Sequence, residues 1–389
     1  MNDGRTVFAQ LVEYASHVEF QKCVRRYHSP RRKPRFSCWD QFLAMAFAQL
    51  TYRESLRDIE ACLGAVPDKL YHMGLRGRVS RSTLADANEK RDWRIYANFA
   101  QTLVHEARRL YIDEPLGLEL EQTVYALDAT TVDLCLSLFP WARFRTTKAG
   151  IKLHTLLDVR GAIPVFIWIT DAKRADVEVL DVLVPEPGSI YLFDRAYVDF
   201  ERLHRLNEAR AVFVTRTKKN LRWRRRYSRP VDRTTGLVCD QTIVLTRKES
   251  AEAYPAALRR VKYRDPKSGK TLVFLTNDFT LPALTVAHLY RLRWQVELFF
   301  KWIKQHLRIK AFFGTSVNAV KTQIWTAIST YLLVAIARKR LGIERDLYTI
   351  LQILSVYAFE KALLAQVLSG DGYTSKDDDI RNQLLLFDL

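Results

Sequence analysis

Two aspartates stand directly after short apolar runs that are typical of β-strands. Asp128 follows TVYAL (123–127), and Asp194 follows the apolar run Ile190–Phe193. Carboxylates at the carboxyl ends of strands lie where open α/β sheets bind ligands. Each aspartate alone is also explained by a helix N-cap or a turn, which is the commoner use of such a residue. Because a buried carboxylate without a partner is costly, a bound cation is the functional alternative.

A third carboxylate, Glu297, lies in a predicted helix over residues 289–307 (LYRLRWQVELFFKWIKQHL). At about 100° per residue, Tyr290, Arg293, Glu297 and Lys304 fall within an arc of roughly 60°. A solvated ion-pair face is the ordinary explanation for a charge stripe of this kind. The tryptophans and phenylalanines on the same helix argue against a freely solvated surface.

Three carboxylates in this order suit two divalent metal ions. Hard oxygen ligands favour Mg²⁺ or Mn²⁺. Two such ions about 3.5–4 Å apart stabilise the attacking and leaving oxygens of a phosphoryl displacement. Arg293 and Lys304 would hold the phosphates that the carboxylates repel. The residues therefore predict metal-dependent phosphodiester chemistry without a covalent protein nucleophile.

The elements around these residues predict an α/β fold with a mixed sheet. Residues 1–118 have the apolar spacing of helices, and the chain after Pro282 is again helical almost to its end. Residues 216–277 hold short β-like pieces and many basic residues, which predicts a basic β-rich insertion. His154 alternates with apolar neighbours in a predicted strand and is interpreted as structural rather than as a ligand. The predicted core strands are 123–127, 152–159, 162–170, 190–193 and 211–215, with short helices at 177–183 and 199–209.

The charge balance indicates a polyanionic partner. The 389 residues include 61 Lys and Arg against 43 Asp and Glu, a formal net charge of +18. Nucleic acid is the first expectation and an anionic membrane surface the second. The longest apolar run, YLLVAIA (331–337), is shorter than the ~20 residues that span a bilayer, and we expect no membrane insertion and no secretion leader. Five scattered cysteines without a C-x-x-C pair are typical of reduced thiols in a cytoplasm.

The polar residues of the 289–307 helix match a family signature at every position: tyrosine, two residues, arginine, three residues, glutamate, six residues, lysine. The chain resembles the DDE transposases of bacterial insertion sequences, specifically the cut-and-paste enzymes of the insertion-sequence-four type. The runs LDATTVDL around Asp128 and FDRAYVDF around Asp194 resemble the two aspartate motifs of that family. The separations of 66 and 103 residues between the three carboxylates fit as well, and the resemblance covers about residues 121–340.

The resemblance implies a ribonuclease H-like catalytic core in which Asp128, Asp194 and Glu297 ligate two Mg²⁺ (or Mn²⁺) ions. Water, and then a DNA 3′-hydroxyl, would attack phosphodiesters at the ends of the element. Tyr290, Arg293 and Lys304 would contact the DNA backbone near the cut. The implied partners are the terminal inverted repeats, target DNA and a second copy of the chain in a synaptic complex. The implied location is the bacterial cytoplasm, in association with the nucleoid.

Relatives release the element through a hairpin intermediate and hold a flipped base against an aromatic residue of the insertion. Trp223 is the candidate here, because an aromatic ring flanked by arginines suits base stacking and phosphate neutralisation. Packing of Trp223 inside the insertion explains the residue equally well. The DNA-binding prediction for the insertion consists of Trp223, Arg222, Arg224 and Arg225.

The sequence predicts five segments. These are a helical region that binds the DNA ends (1–118), a first part of the catalytic core (119–215), the basic insertion (216–278), the helical remainder of the core (279–345) and a C-terminal helix with a loose tail (346–389).

Two other functions remain open from the sequence. One is a catalytically inactive, transposase-derived DNA-binding protein, which the presence of all three carboxylates disfavours. The other is a different ribonuclease H-like endonuclease, such as a resolvase or repair enzyme. The signature spacing and the long basic insertion favour the transposase.

Overall fold

The computed structural model describes residues 4–27, 35–218, 220–306 and 312–369. The chain forms two compact units: a helical unit made of Met1–Leu110 with Ile303–Leu389, and a sheet unit made of Tyr111–Trp302. The helical unit joins residues from both ends of the chain, so its limits differ from those of the five predicted segments. The functional division into those segments stays a prediction.

The sheet unit contains both strands and helices, whereas the helical unit contains no strand among its described residues. The helices are α1 (Val7–Val12), α2 (His17–Tyr27), α3 (Cys38–Leu50), α4 (Leu56–Gly64), α5 (Pro67–Leu70), α6 (Arg81–Lys90), α7 (Arg94–Tyr111), α8 (Val179–Val182), α9 (Phe200–Glu208), α10 (Lys248–Ala253), α11 (Ala283–Leu292), α12 (Trp294–His306), α13 (Val317–Arg340), α14 (Leu347–Tyr357) and α15 (Leu364–Ser369). The strands are β1 (Val124–Leu134), β2 (Arg143–Arg145), β3 (Lys148–Asp158), β4 (Ile163–Asp171), β5 (Ile190–Phe193), β6 (Val212–Arg216), β7 (Trp223–Arg229), β8 (Leu237–Leu245), β9 (Leu258–Arg264) and β10 (Thr271–Thr276).

The helical unit is organised around α13, whose residues from Ala319 to Ala337 are almost all buried. This helix packs on α3 and α6. By length and composition it could cross a membrane, but 94% of its most apolar window is buried inside the protein, as in a core helix. The α3 helix begins with a capping box, in which Ser37 Oγ accepts from the Asp40 amide and Asp40 Oδ2 accepts from the Ser37 amide.

The sheet unit contains one mixed sheet with the strand order β2-β3-β1-β5-β6-β10-β9-β8-β7, and β4 pairs with β3. The strands β1, β5 and β6 run parallel, and β3 is antiparallel to β1. This arrangement of a β4–β3–β1 meander followed by two parallel strands is a ribonuclease H-like core. The predicted mixed α/β fold is therefore confirmed. Every residue of β5 (IYLF) is buried, as expected for a central parallel strand.

Helices cover the parallel strands. Leu203 and Leu206 of α9 belong to a buried cluster with Phe193 of β5 and Phe213 of β6. The α11 helix also contacts β5 and β6, and it reaches β9. This packing brings the end of α11 and the start of α12 toward the strands that carry the two aspartates.

The basic insertion forms as strands but continues the core sheet. Residues 274–276 of β10 pair antiparallel with residues 214–216 of β6, and β9, β8 and β7 follow outward. The backbone edge that β6 would otherwise expose is thereby paired. The insertion and the ribonuclease H-like core consequently share one continuous sheet.

The prediction of a single helix over residues 289–307 is wrong in one respect. The chain forms α11 and α12 with a break at Arg293, although no glycine or proline lies there. The Arg293 amide donates to the Tyr290 carbonyl, and the Val296 amide donates to the Arg293 carbonyl, so the spacing is three residues instead of four. The last predicted residue, 307, lies outside the described residues.

Candidate active site

Asp128 does not end its strand, contrary to the sequence prediction. The β1 strand runs on to Leu134 because its antiparallel pairing with β3 continues, with Asp128 opposite Thr155. The parallel pairing with β5 stops at Ala126, which lies next to Leu192. Asp128 therefore lies two residues beyond the last residue of β1 that pairs with β5.

Asp194 follows β5 directly, as predicted. If the register of β1 and β5 is continued by two residues, Asp194 lies beside Asp128. Asp194 also has the capping role that was its alternative explanation, because its Oδ1 accepts a hydrogen bond from the Ala196 amide at 2.7 Å. The capping bond occupies one carboxylate oxygen.

Arg293 connects Glu297 to Asp128. Arg293 Nη1 lies 3.2 Å from Asp128 Oδ2, and its Nη2 lies 2.6 Å from Glu297 Oε1. The Arg293 side chain is 14% exposed, Asp128 is 22% exposed and Glu297 is 33% exposed. One guanidinium thus bridges a carboxylate of the sheet and a carboxylate of α12.

The pKa of Asp128 reflects its burial and the nearby charges of Asp194, Glu297 and Arg293. The pKa of Asp128 is raised from 3.8 to about 6, mainly by burial. The charges of Asp194 and Glu297 contribute to the rise, whereas the Ala129 amide and Arg293 oppose it. The carboxylates are close enough to repel one another, and positive charge stabilises the site.

Two buried polar atoms near the carboxylates were not identified from the sequence. The hydroxyl of Tyr197 and Oγ1 of Thr155 have no hydrogen-bond partner among the described residues. Burial, followed by the charge of Asp128, raises the pKa of Tyr197. Tyr197 occurs in the run FDRAYVDF and was visible as a candidate, but the position of Thr155 opposite Asp128 follows only from strand register.

The other signature residues lie on the same two helices. The ring centroid of Tyr290 is 5.6 Å from the guanidinium carbon of Arg293, and the ring packs against Phe274. Lys304 lies seven residues after Glu297 on α12 and is half-buried. Trp294 and Leu298 are 57% and 51% exposed, so this helix presents an apolar pair beside Arg293 and Glu297 that the sequence reasoning missed.

Trp223 lies on the outermost strand of the sheet, β7, and is half-buried against the edge of the core cluster. The guanidinium of Arg260 stands 4.7 Å from the centroid of its ring. The predicted residues Arg222, Arg224 and Arg225 are all exposed. A bulge between Arg225 and Tyr227 interrupts the pairing of β7 with β8. Charges and a bulge on an edge strand also prevent pairing with another chain, which is their structural explanation.

Trp223 borders a basic cavity of about 310 Å³. Four cationic side chains line this cavity, and the sequence analysis had identified none of them as a binding residue. Arg195 could have been found from the sequence, because it directly follows Asp194. The cations are Arg195, Arg216, Lys218 and Arg260.

The donor set fits a divalent metal ion. Three carboxylates supply hard oxygen ligands. Two of them, Asp128 and Glu297, already form ion pairs with the cationic Arg293. Over the described residues, however, no three side chains of His, Cys, Asp or Glu are assembled as a preformed metal site.

Residues 119–333 match the family model described as Transposase DDE domain. Residues 3–76 match a family described as a domain of unknown function. A putative transposase of Sinorhizobium fredii is 33% identical over 288 residues, which cover 73% of this chain and 79% of that protein.

Two further likenesses are more distant or shorter. A probable transposase for an insertion sequence element of Geobacillus stearothermophilus is 32% identical over 219 residues, 56% of this chain and 57% of that protein. A cryo-EM structure of a piggyBac transposase synaptic complex with hairpin DNA covers 98% of this chain and 83% of that chain, with 11% identity and a TM-score of 0.44.

Proposed function

The chain belongs to the DDE transposase family, and from this premise we propose that it is a cut-and-paste transposase of the insertion-sequence-four type. Its enzymatic activity is the cleavage and joining of DNA in transposition. The assignment to this type depends on the spacing of Tyr290, Arg293, Glu297 and Lys304. The bridge that Arg293 forms between Asp128 and Glu297 is the observation that supports it most directly.

DDE transposase domains use divalent metal ions. Here Asp128, Asp194 and Glu297 would hold two Mg²⁺ or Mn²⁺ ions, for which the three carboxylates are suitable ligands. When bound, such ions stabilise the attacking and leaving oxygens of a phosphodiester. The chain itself would position the DNA strand and neutralise its phosphates.

The residues around the carboxylates suit contact with a DNA backbone. Arg293 has a planar guanidinium that can bind a phosphate through two hydrogen bonds. Tyr290 packs on Arg293 and limits the positions that this side chain can take. Lys304 would add a further cation two turns along α12. Together with the net charge of +18, these side chains support DNA as the partner.

The cavity beside Trp223 suits a base that has left the DNA stack. A half-buried indole offers a stacking surface, and the four surrounding cations could neutralise the adjoining phosphates. Arg195 directly follows Asp194, so the cavity lies close to the carboxylates along the chain. A flipped base held there would support release of the element through hairpin ends, with paired ends held by a homodimer.

The test is cleavage of linear DNA that carries the ends of the element, with Mg²⁺ or with chelator, resolved on a denaturing gel. Asp128→Asn should reduce nicking about a thousandfold or more while end binding in a gel shift is retained. The matched control is Asp133→Asn, because Asp133 is an exposed carboxylate on the same strand. Equal loss of binding and cleavage would overturn the catalytic assignment, and binding without cleavage by the wild type would indicate a DNA-binding relic.

A further inference from the structure

Arg293 occupies the space between two carboxylates that the proposed metal site also needs. It contacts Asp128 Oδ2 and Glu297 Oε1, at 3.2 Å and 2.6 Å. Its side chain is mostly buried, and its Nε has no hydrogen-bond partner among the described residues. The guanidinium is therefore held by these two carboxylates and by the ring of Tyr290, whose centroid lies 5.6 Å from its carbon.

A divalent ion bound by Asp128 and Glu297 would compete with that guanidinium. The ion would use the same two carboxylate groups, and two cations at this distance would repel each other. Withdrawal of the guanidinium would free Asp128 Oδ2 and Glu297 Oε1 together.

We infer that Arg293 is a resident countercharge: it neutralises the carboxylates while metal is absent, competes with the entering ion, and is then released. This inference depends on the proposed function, in which Asp128, Asp194 and Glu297 hold the metal. The released guanidinium is next to the carboxylates, where the scissile phosphate would lie. Arg293 is thus a positioning residue that couples metal loading to phosphate contact.

The experiment measures Mn²⁺ binding to the full-length protein by calorimetry, without DNA. Arg293→Ala removes the competing cation, so its Mn²⁺ dissociation constant should be about tenfold lower than that of the wild type. Arg293→Lys keeps the charge but cannot form two parallel hydrogen bonds, so its affinity should be intermediate. Lys301→Ala is the matched control, because Lys301 is exposed on the same helix and forms no ion pair with either carboxylate; its affinity should change less than about twofold.

Thermal unfolding gives a second readout. In chelator, Arg293→Ala should unfold at a lower temperature than the wild type, because the carboxylates then repel without compensation. Saturating Mn²⁺ should raise its unfolding temperature by more than it raises that of the wild type. If Arg293→Ala does not fold, Arg293→Lys provides the same comparison with a smaller expected change.

The outcomes separate the inference from the proposed function. If the wild type binds Mn²⁺ in a manner that Asp128→Asn abolishes, but neither arginine variant binds it more tightly, the resident-countercharge inference is wrong and the metal site stands. If no Mn²⁺ binding depends on Asp128, the proposed metal site is wrong and the inference is overturned with it.

Discussion

Arg259 of β9 and Asp240 of β8 form a bidentate ion pair inside the sheet unit. The Nε–Oδ1 and Nη2–Oδ2 distances are 2.9 Å and 2.8 Å, and the two side chains are 3% and 4% exposed. Arg259 Nη1 also donates to the Leu281 carbonyl at 2.6 Å. The pair therefore ties the strands of the insertion to the segment that leads into α11 and Tyr290.

Asp240→Ala should destabilise the protein by about 3–5 kcal/mol, because the buried Arg259 loses its bidentate partner and keeps only the more distant carboxylate of Asp278, 4.0 Å from Nη1. Urea unfolding measures the change. Arg291→Ala breaks the partly exposed pair of Arg291 with Asp265 and is the control, with an expected cost under about 1 kcal/mol. A small cost for Asp240→Ala would mean that water reaches Arg259.

The raised pKa of Asp128 predicts an unusual dependence of stability on pH. The native carboxyl has a pKa of about 6 against 3.8 in the unfolded chain, so the native state binds more protons between these values. Stability is therefore lost as pH rises from about 4 to about 6. In chelator at pH 8, Asp128→Asn should be more stable than the wild type by up to about 3 kcal/mol, since it stays neutral.

Urea unfolding of the wild type and Asp128→Asn across this pH range, in chelator, checks the prediction. The stability difference should shrink as pH falls through 6 and vanish near pH 4. A constant difference would show that the ionisation of Asp128 does not cause it.

The buried His154 should make stability depend on pH in the direction opposite to that of Asp128. The ring is fully buried, its centroid lies 5.1 Å from that of the Trp168 ring, and its Nε2 lies 3.1 Å from Thr170 Oγ1. Burial lowers its pKa from 6.5 to about 4. The unfolded chain thus binds a proton that the native ring does not, and stability falls by up to about 3 kcal/mol as pH drops from about 6.5 to 4.

His154→Gln should remove this acid-sensitive component while leaving a polar group near Thr170. Denaturant unfolding at several pH values would measure it in the wild type and the variant. Parallel stability curves for the two proteins would argue against titration of His154.

The exposed arginines of β7 predict a change in the salt dependence of DNA binding. Each phosphate neutralised contributes about 0.9 to the slope of log K against log salt concentration. Arg224→Ala should lower the steepness by about that amount. Arg205→Ala is the control, because Arg205 on α9 pairs with Asp181. An unchanged slope for Arg224→Ala would leave the protection of an edge strand as the role of this residue.

Replacement of Trp223 should impair one step of the reaction, the formation of hairpin ends. Trp223→Ala should impair formation of hairpin ends by roughly tenfold, because stacking contributes about 1–3 kcal/mol per base. First-strand nicking should be nearly unchanged, and Trp223→Phe should retain part of the hairpin step. A time course on denaturing gels separates the two steps; equal loss of both would indicate that Trp223 acts in packing alone.

Local patterns were sufficient to predict most elements of the sheet unit. The apolar run of β5, the hairpin of β3 and β4, and the basic strands after β6 appear where the sequence indicated. Their side-chain periodicity is a property of neighbouring residues, which can be read without knowing the fold. The signature spacing likewise predicted that Tyr290, Arg293 and Glu297 lie together, and Arg293 contacts both of the others. The roles of these residues and of Lys304 in catalysis and binding stay predictions.

Tertiary structure decided the features that depend on distant segments. Asp128 lies within a long strand because β3 continues to pair with β1, and β10 joins β6 to extend the sheet. The helix breaks at Arg293, whose side chain contacts a carboxylate 165 residues away. Hydrogen-bond pairing and charge pairing across such separations follow from the packed fold. The sequence by itself therefore determined the chemistry of the candidate residues, and only the fold determined which of them meet.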